Sequence, residues 1–401
     1  MSTSDLDDFR QEVRAFLAAN LTPDLAQAPR TSQLISAEPQ QRWHRILAAR
    51  GWQVPSWPVE FGGANWSLDQ RRAFDEELSA ANAPPLSPFL EMVGPVLYTF
   101  GTPEQIERHL FPLRDGLVLW CQGFSEPGAG SDLASLSTRA VRDGADYIVN
   151  GQKIWTTNAH WADWMFALVR TSTVGRPQAG ISFLLIDMKS PGIEIRPIRS
   201  IDGLHHLNEV FFTDVRVPAT NLVGPENDGW AIAKFLLDQE RSGSVGSALT
   251  LKNQLDQVRS IINAGFDVSD PEQSRESETL HYALCEAEIM LEGLDAFDRR
   301  QSALAQRGAA HPAVASIAKL AITELQQVIA ELGVAALGVD ALRDQSHLLE
   351  DYRPDLIKGT PEGPTVMLRY LFGRAFTILG GASEIQRGLI FRSIAASFCA
   401  P

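Results

Sequence analysis

Cysteine is scarce in this sequence: three residues in 401, at Cys121, Cys285 and Cys399, widely spaced and without a CxxC pair. That excludes a disulfide-built domain and offers no zinc-ligand pattern, so a reduced, cytoplasmic protein without a bound metal is expected. Basic residues are also in deficit, 35 against 49 acidic ones, for a formal charge of −14. A general nucleic-acid binder needs a positive surface, so nucleic acid is not expected as a partner. No window approaches the ~18 uninterrupted apolar residues of a membrane span. The opening MSTSDLDDFRQEV is acidic and polar where a secretory leader is basic and then apolar. Two phosphate-binding signatures are missing as well: there is no GxxxxGKS/T, and no GxGxxG following a strand.

What is present is a globular balance, 44% hydrophobic and 21% charged, on a chain longer than one small core usually supports. Residues 1–117 read as a helical domain. Leu6, Phe9, Val13, Phe16 and Leu17 share one helical face. Ser67 with Gln70, and Thr102 with Gln105 around Pro103, form capping boxes. The stretch GWQVPSWPVEFGGAN at 51–65 holds too many breakers for a helix. Residues 118–228 read as a central β-domain. Asn150-Gly151 predicts a type I′ turn between Tyr147–Val149 and Lys153–Trp155. Further strands are expected at Phe166–Arg170, Ile181–Asp187, Ile193–Pro197, Val210–Phe212 and Val215–Val217, in an antiparallel, barrel-like sheet. His205 and His206 fall between strands, read as solvated loop, and have no third metal ligand at a usable spacing. Residues 229–401 read as a helical bundle, with helices over Trp230–Ile262, Glu276–Arg307, Pro312–Ala336, Val366–Ile378 and Ser383–Ala396.

Three segments could carry chemistry: SEPGAGSD at 125–132, NGQKIWTTN at 150–158 and GGASEIQR at 380–387. Each alone is ordinary, since glycine-rich turns are common and a tryptophan is usually core. Their order, spacing and wording on a helix–strand–helix plan resemble the acyl-CoA dehydrogenase family over nearly the whole chain. The resemblance implies an N-terminal helical domain, a middle β-domain and a C-terminal four-helix bundle. It also implies FAD as cofactor and an acyl-CoA substrate, with the Cα–Cβ bond oxidised to the trans-2-enoyl-CoA. Carried over residue by residue, Ser125 hydrogen-bonds near flavin N5, and Gln122 and Phe124 line the ring. Gly130 and Ser131 touch FAD, Ser131 also the pantetheine arm of the substrate. Trp155 stands beside the flavin and Thr157 bonds the ring edge. Ala382 and Glu384 occupy the places of a threonine and a glutamine that reach FAD, Ala382 without the hydroxyl.

The reaction needs a carboxylate over Cα and hydrogen bonds to the thioester oxygen. Many members of the family have glutamate where this sequence has Gly380. Another group carries it on an earlier helix in a segment like LDLER, which LDQER at 237–241 matches. The resemblance therefore implies that Glu240 abstracts the α-proton while hydride passes to flavin N5. Gly380 keeps its backbone N–H for the thioester oxygen, and Arg241 is a candidate for orienting CoA. The electrons would leave to an electron-transfer flavoprotein, near Trp155.

Two departures concern a partner. Homotetrameric members offer an RxxFG segment and a QxxGG segment to a neighbour's FAD. Here the first region keeps Arg259 without the Phe-Gly spacing, and the second reads Glu331-Leu332-Gly333-Val334-Ala335. A glutamate there repels a pyrophosphate. This pattern resembles the large, catalytic subunit of heteromeric pimeloyl-CoA and sterol side-chain types, implying an α2β2 assembly with a related subunit. The competing readings are a homo-oligomer, a flavin oxidase or monooxygenase on the same fold, and a non-catalytic subunit.

Overall fold

The N-terminal stripe folds as α1 (Thr3–Asn20), and Phe9, Val13 and Leu17 enter a core built with Trp43, Trp52 and Phe74. Trp43 comes from α2 (Ala37–Arg50) and Phe74 from α3 (Leu68–Ala80). The structure is a computed structural model that describes residues 3–26, 37–242, 245–267, 269–307, 309, 311, 313–350 and 354–399. Ser67 caps α3 as its spacing predicts: Gln70 N–H donates to Ser67 Oγ at 3.2 Å, and Ser67 N–H to Gln70 Oε1 at 3.0 Å. Arg10 and Arg14 on α1 both donate to Glu77 of α3, at 3.0 and 2.7 Å. The second box forms too, and Gln105 does more than cap. Its Nε2 donates to the carbonyls of Thr220 and Leu222, both at 2.8 Å, and so ties the helical domain to the next one. Between these boxes α4 (Pro88–Phe100) buries Leu90, Val93, Val96 and Leu97.

Eight strands form one mixed sheet in the order β6-β7-β3-β2-β4-β5-β8, with β1 also on β4. They are β1 Trp120–Gly123, β2 Arg139–Asp143, β3 Asp146–Lys153, β4 Trp164–Arg170, β5 Ile181–Asp187, β6 Ile193–Arg199, β7 His205–Pro218 and β8 Leu222–Val223. Most pairings are antiparallel; β1 and β2 each meet β4 in parallel.

Three local expectations fail. Asn150-Gly151 is not a turn, because β3 runs through it. The register shifts there, and Asn150 exchanges hydrogen bonds with Asp214 across the ladder, at 3.0 and 2.9 Å. The actual hairpin closes at Gly144-Ala145, where Asp143 pairs with Asp146 and Gly144 takes φ 59°. The gap expected at Thr213-Asp214 is closed as well: β7 continues through it, with Asp214 at φ 48°. His205 and His206 are consequently strand residues, and His206 is buried rather than solvated.

The C-terminal part is helical. The helix expected over 230–262 is described as two, α5 (Gly229–Ser242) and α6 (Val245–Gly265). Then come α7 (Pro271–Gln306), α8 (Val314–Leu337), α9 (Gly363–Gly373) and α10 (Ser383–Cys399). α8 is the hub, packed on α6, α7, α9 and α10. By length and composition the stretch Val314–Leu342 could cross a membrane, but half of its apolar window is buried within the fold.

α5 is seated by close approach. A Cβ on Gly229 would stand 2.5 Å from the Ser182 carbonyl carbon of β5, so only glycine lets the helix begin there. Ile232, Ala233 and Leu236 then join α4 and β5 in one core. α4 needs a glycine of its own, because a Cβ on Gly94 would lie 2.1 Å from the Trp57 ring. Gly94→Ala should therefore destabilise the protein by about 1–3 kcal/mol through overpacking. Urea denaturation monitored by far-UV circular dichroism checks this; an unchanged midpoint would mean that the ring yields freely.

Candidate active site

β1 leads directly into the first motif. Gln122 is half-buried opposite Phe166 of β4, and Phe124 turns into the core against Phe166 and Phe183. The Phe124 side chain thus has little surface to offer a flat ligand. The Glu126 and Ala129 peptides bond each other at 3.0 Å both ways, closing the turn around Pro127-Gly128. Gly130 and Ser131 lie exposed on its outer arm, and nothing stands within 4 Å of a Cβ built on Gly130. Ser125 is half-buried, and its carbonyl accepts from Ile154 N–H at 3.0 Å.

What fixes this loop is a pair that the sequence reading passed over. The Glu126 carboxylate points inward and accepts from Lys153 Nζ at 2.8 Å, Ser137 N at 2.6 Å, Ser137 Oγ at 2.8 Å and Thr138 N at 2.9 Å. Lys153, fully buried, also donates to the Phe124 carbonyl at 3.1 Å. Burial pushes the Glu126 carboxyl up, but the Lys153 charge and the hydrogen bonds outweigh it and hold it down to about 2. The sequence signal was slight: two acids, Glu126 and Asp132, in the first motif and one base in the second.

The second motif follows Lys153. Trp155 is 57% exposed, the one exposed tryptophan of nine, and it sits at φ 61°. Left-handed backbone at a bulky residue costs about 1–3 kcal/mol and points to function where the surroundings enforce it. Asn158, three residues on, is also left-handed at φ 58°. Thr157 is exposed beside Trp155, while the Thr156 hydroxyl and Asn158 Oδ1 are buried without a partner. An exposed indole plane, free hydroxyl donors and an open glycine suit the flat, polar-edged ring system of a flavin.

The third motif is held from α8. Lys319 Nζ donates to the carbonyls of Phe376 and Gly381, both at 2.9 Å. Buried Gln386 donates to the Gly380 and Gly381 carbonyls at 3.1 and 3.3 Å. Gly380 and Gly381 take φ 63° and 89°, and Gly380 is exposed. Ala382 is half-buried, and Glu384 is exposed in the first turn of α10. A continuous path joins this loop to the second motif. Asn158 N–H bonds the His206 carbonyl at 2.9 Å, and the His206 ring meets Phe372 edge-on at 4.7 Å. Phe372 meets Phe376, whose carbonyl shares Lys319 with Gly381. Glu240 lies in the last turn of α5, which packs on α4, β5 and α8. The side chains of residues 238–242, those of Glu240 and Arg241 among them, lie outside the described residues.

Removing one partner of a buried pair leaves a charge uncompensated. Lys153→Met or Glu126→Gln alone should each cost about 3–5 kcal/mol, and the double variant less than their sum. Because the Glu126 carboxyl is depressed, its contribution is complete above the ordinary 4.5 and is lost as pH falls towards 2. Urea unfolding between neutral and acid pH checks both points. Additive single effects, or a Glu126→Gln variant with an unchanged acid limb, would contradict this account.

Three family models match the chain in succession: the acyl-CoA dehydrogenase N-terminal domain over residues 3–116, the middle domain over 121–215 and the C-terminal domain over 227–395. The chain is 37% identical over 396 residues to the acyl-CoA dehydrogenase IpdE1 of Mycobacterium tuberculosis, with 96% of each covered. Among solved structures, a chain of the ChsE4–ChsE5 complex from Mycobacterium tuberculosis superposes with a TM-score of 0.79 at 30% identity, covering 99% of this chain and 98% of that one. The Tcur3481–Tcur3483 steroid ACAD gives 0.81 at 25% identity, covering 100% and 99%. The succession of helical, mixed-sheet and helical parts, the three motif loops and these matches agree: the chain belongs to the acyl-CoA dehydrogenase family of flavoprotein oxidoreductases.

Proposed function

We propose that this chain uses FAD to oxidise the Cα–Cβ bond of a bulky, sterol-derived acyl-CoA to the trans-2-enoyl-CoA. The observation that carries the reading is Trp155, a strained and exposed indole beside a loop that a buried ion pair locks in place. Bound FAD supplies the two-electron redox chemistry. Trp155, Gln122 and the main chain at Phe124 would face its ring, Ser125 and Thr157 its polar edge. Gly130 and Ser131 would take the arm beyond, with Ser131 against the substrate. Ala382, just before α10, and Glu384, in its first turn, would reach the cofactor from the C-terminal part. Glu240 takes the α-proton, and the Gly380 N–H polarises the thioester oxygen as charge develops there. Arg241 would steady the CoA end. The steroid substrate class of a structural neighbour supports the choice of acyl group. Glu240→Gln should lower turnover by a factor of about 10²–10⁴ with FAD still bound. Steady-state kinetics with an electron-transfer flavoprotein or artificial acceptor, beside the flavin spectrum, checks it. Unchanged turnover would remove Glu240 from the role.

The same reading makes the chain the base-carrying subunit of an α2β2 assembly. The residues that would reach a neighbour's cofactor are engaged at home. Arg259 pairs with Asp256 and Glu288 in its own bundle, and Glu331 pairs with Arg374 at 2.9 Å. Exposed Tyr282, Ile289 and Met290 give α7 an apolar patch for a partner. Its dispersed cysteines suit a cytosolic setting. Purified alone, the chain should be poor in flavin and should fill with FAD only when co-expressed with a related subunit. A homotetramer with one FAD per chain, seen by absorbance and native mass, would refute this.

A further inference from the structure

Residues 154–158 continue alongside β7 beyond the last regular pair, Lys153 with Val210. The next bonds run from Thr156 N–H to the Asn208 carbonyl at 3.0 Å and from Asn158 N–H to the His206 carbonyl at 2.9 Å. Ile154 and Trp155 therefore stand opposite Glu209 alone, as in a β-bulge. The left-handed place in such a bulge ordinarily belongs to glycine, which pays no Cβ penalty. Here Trp155 fills it, so something nearby must hold the conformation.

The Asn208 side chain, fully buried, is the group in place to do so. Its Nδ2 donates to the Thr156 carbonyl at 3.0 Å and to His160 Nδ1 at 3.1 Å. Its Oδ1 accepts from His205 Nε2 at 2.8 Å. The amide must present two donors and one acceptor to satisfy all three, which assigns His160 as neutral with its proton on Nε2. The His160 and His205 rings stack with centroids 4.1 Å apart, so the amide is braced from two sides. The Thr156 peptide is thus gripped at both ends by one residue, its N–H by the Asn208 backbone and its C=O by the Asn208 side chain.

We propose that Asn208 is a positioning residue, whose amide clamps the Thr156 peptide and thereby presents Trp155 and Thr157 to the flavin. The proposal rests on the reading above that these two side chains meet FAD. His160 is held low, to about 4, by burial and by neighbouring His205, which keeps it an acceptor at neutral pH.

Asn208→Asp preserves the shape and the acceptor for His205 but replaces both donors with oxygen; Asn208→Ala removes the whole contact. In protein stripped of cofactor, hydrogen–deuterium exchange at Thr156 and Asn158 should quicken in both variants while the β4–β5 amides stay protected. Titration with FAD should show the dissociation constant raised on the order of tenfold, with an altered flavin absorption band. Folded variants with wild-type exchange would overturn the proposal. So would faster exchange with unaltered FAD affinity, since the segment would then not serve the flavin. If both variants fail to fold, the wild-type protein still decides: Thr156 and Asn158 exchanging as fast as unstructured amides would overturn the clamp. Wild-type protein that takes up no FAD, alone or with a related subunit, yet shows the exchange difference would sink the flavin reading instead.

Discussion

The buried ion pair between Glu126 and Lys153 is the constraint on which the site depends. Two motifs that read as separate loops are one object because a carboxylate from the first and an ammonium from the second share an interior without solvent. Four donors at the carboxylate and a second acceptor at the ammonium offset the cost of taking both charges out of water. Such a pair adds little net stability compared with apolar residues of equal volume. What it gives is a single geometry, because neither charge has another place to go. With the loop fixed, the chain can carry Trp155 in a conformation it would otherwise abandon.

Local chemistry was legible in the sequence and tertiary context was not. The capping boxes at Ser67 and Thr102 formed as read, because their donors and acceptors lie three residues apart and need nothing else. Asn150-Gly151 misled because asparagine and glycine serve a bulge as well as a turn, and the side chain of Asn150 found Asp214 on a strand far away in sequence. His206 looked like loop because nothing local shows that Phe372 will cover it. Of the candidate site, the three motif segments were visible as strings. The groups that hold them, Lys153 with Glu126, Lys319 with Gly381, Gln386 with Gly380, and Asn208 with Thr156, became evident only once distant elements met.

α5, whose last turn bears Glu240, is anchored by close packing at its start. α5 starts at a glycine pressed against β5 and runs through a stripe of Ile232, Ala233 and Leu236 shared with α4. Its first half is consequently fixed by packing rather than by a loop. In the third motif, the absence of a side chain at Gly380 lets the backbone take a left-handed turn that Lys319 and Gln386 then pin.

Gln105 couples events that are usually separate in folding. Its Oε1 completes a local helix cap, whereas its Nε2 engages two carbonyls of the segment leading into β8. A side chain committed at both ends ties the ordering of that helix start to the docking of the domain behind it. The helical and β parts are then expected to form as one cooperative unit rather than as beads on a string. A chain cut between them would leave two acceptors on the β side and an idle amide on the other, so the boundary that composition draws near residue 117 is spanned by a side chain that serves both parts.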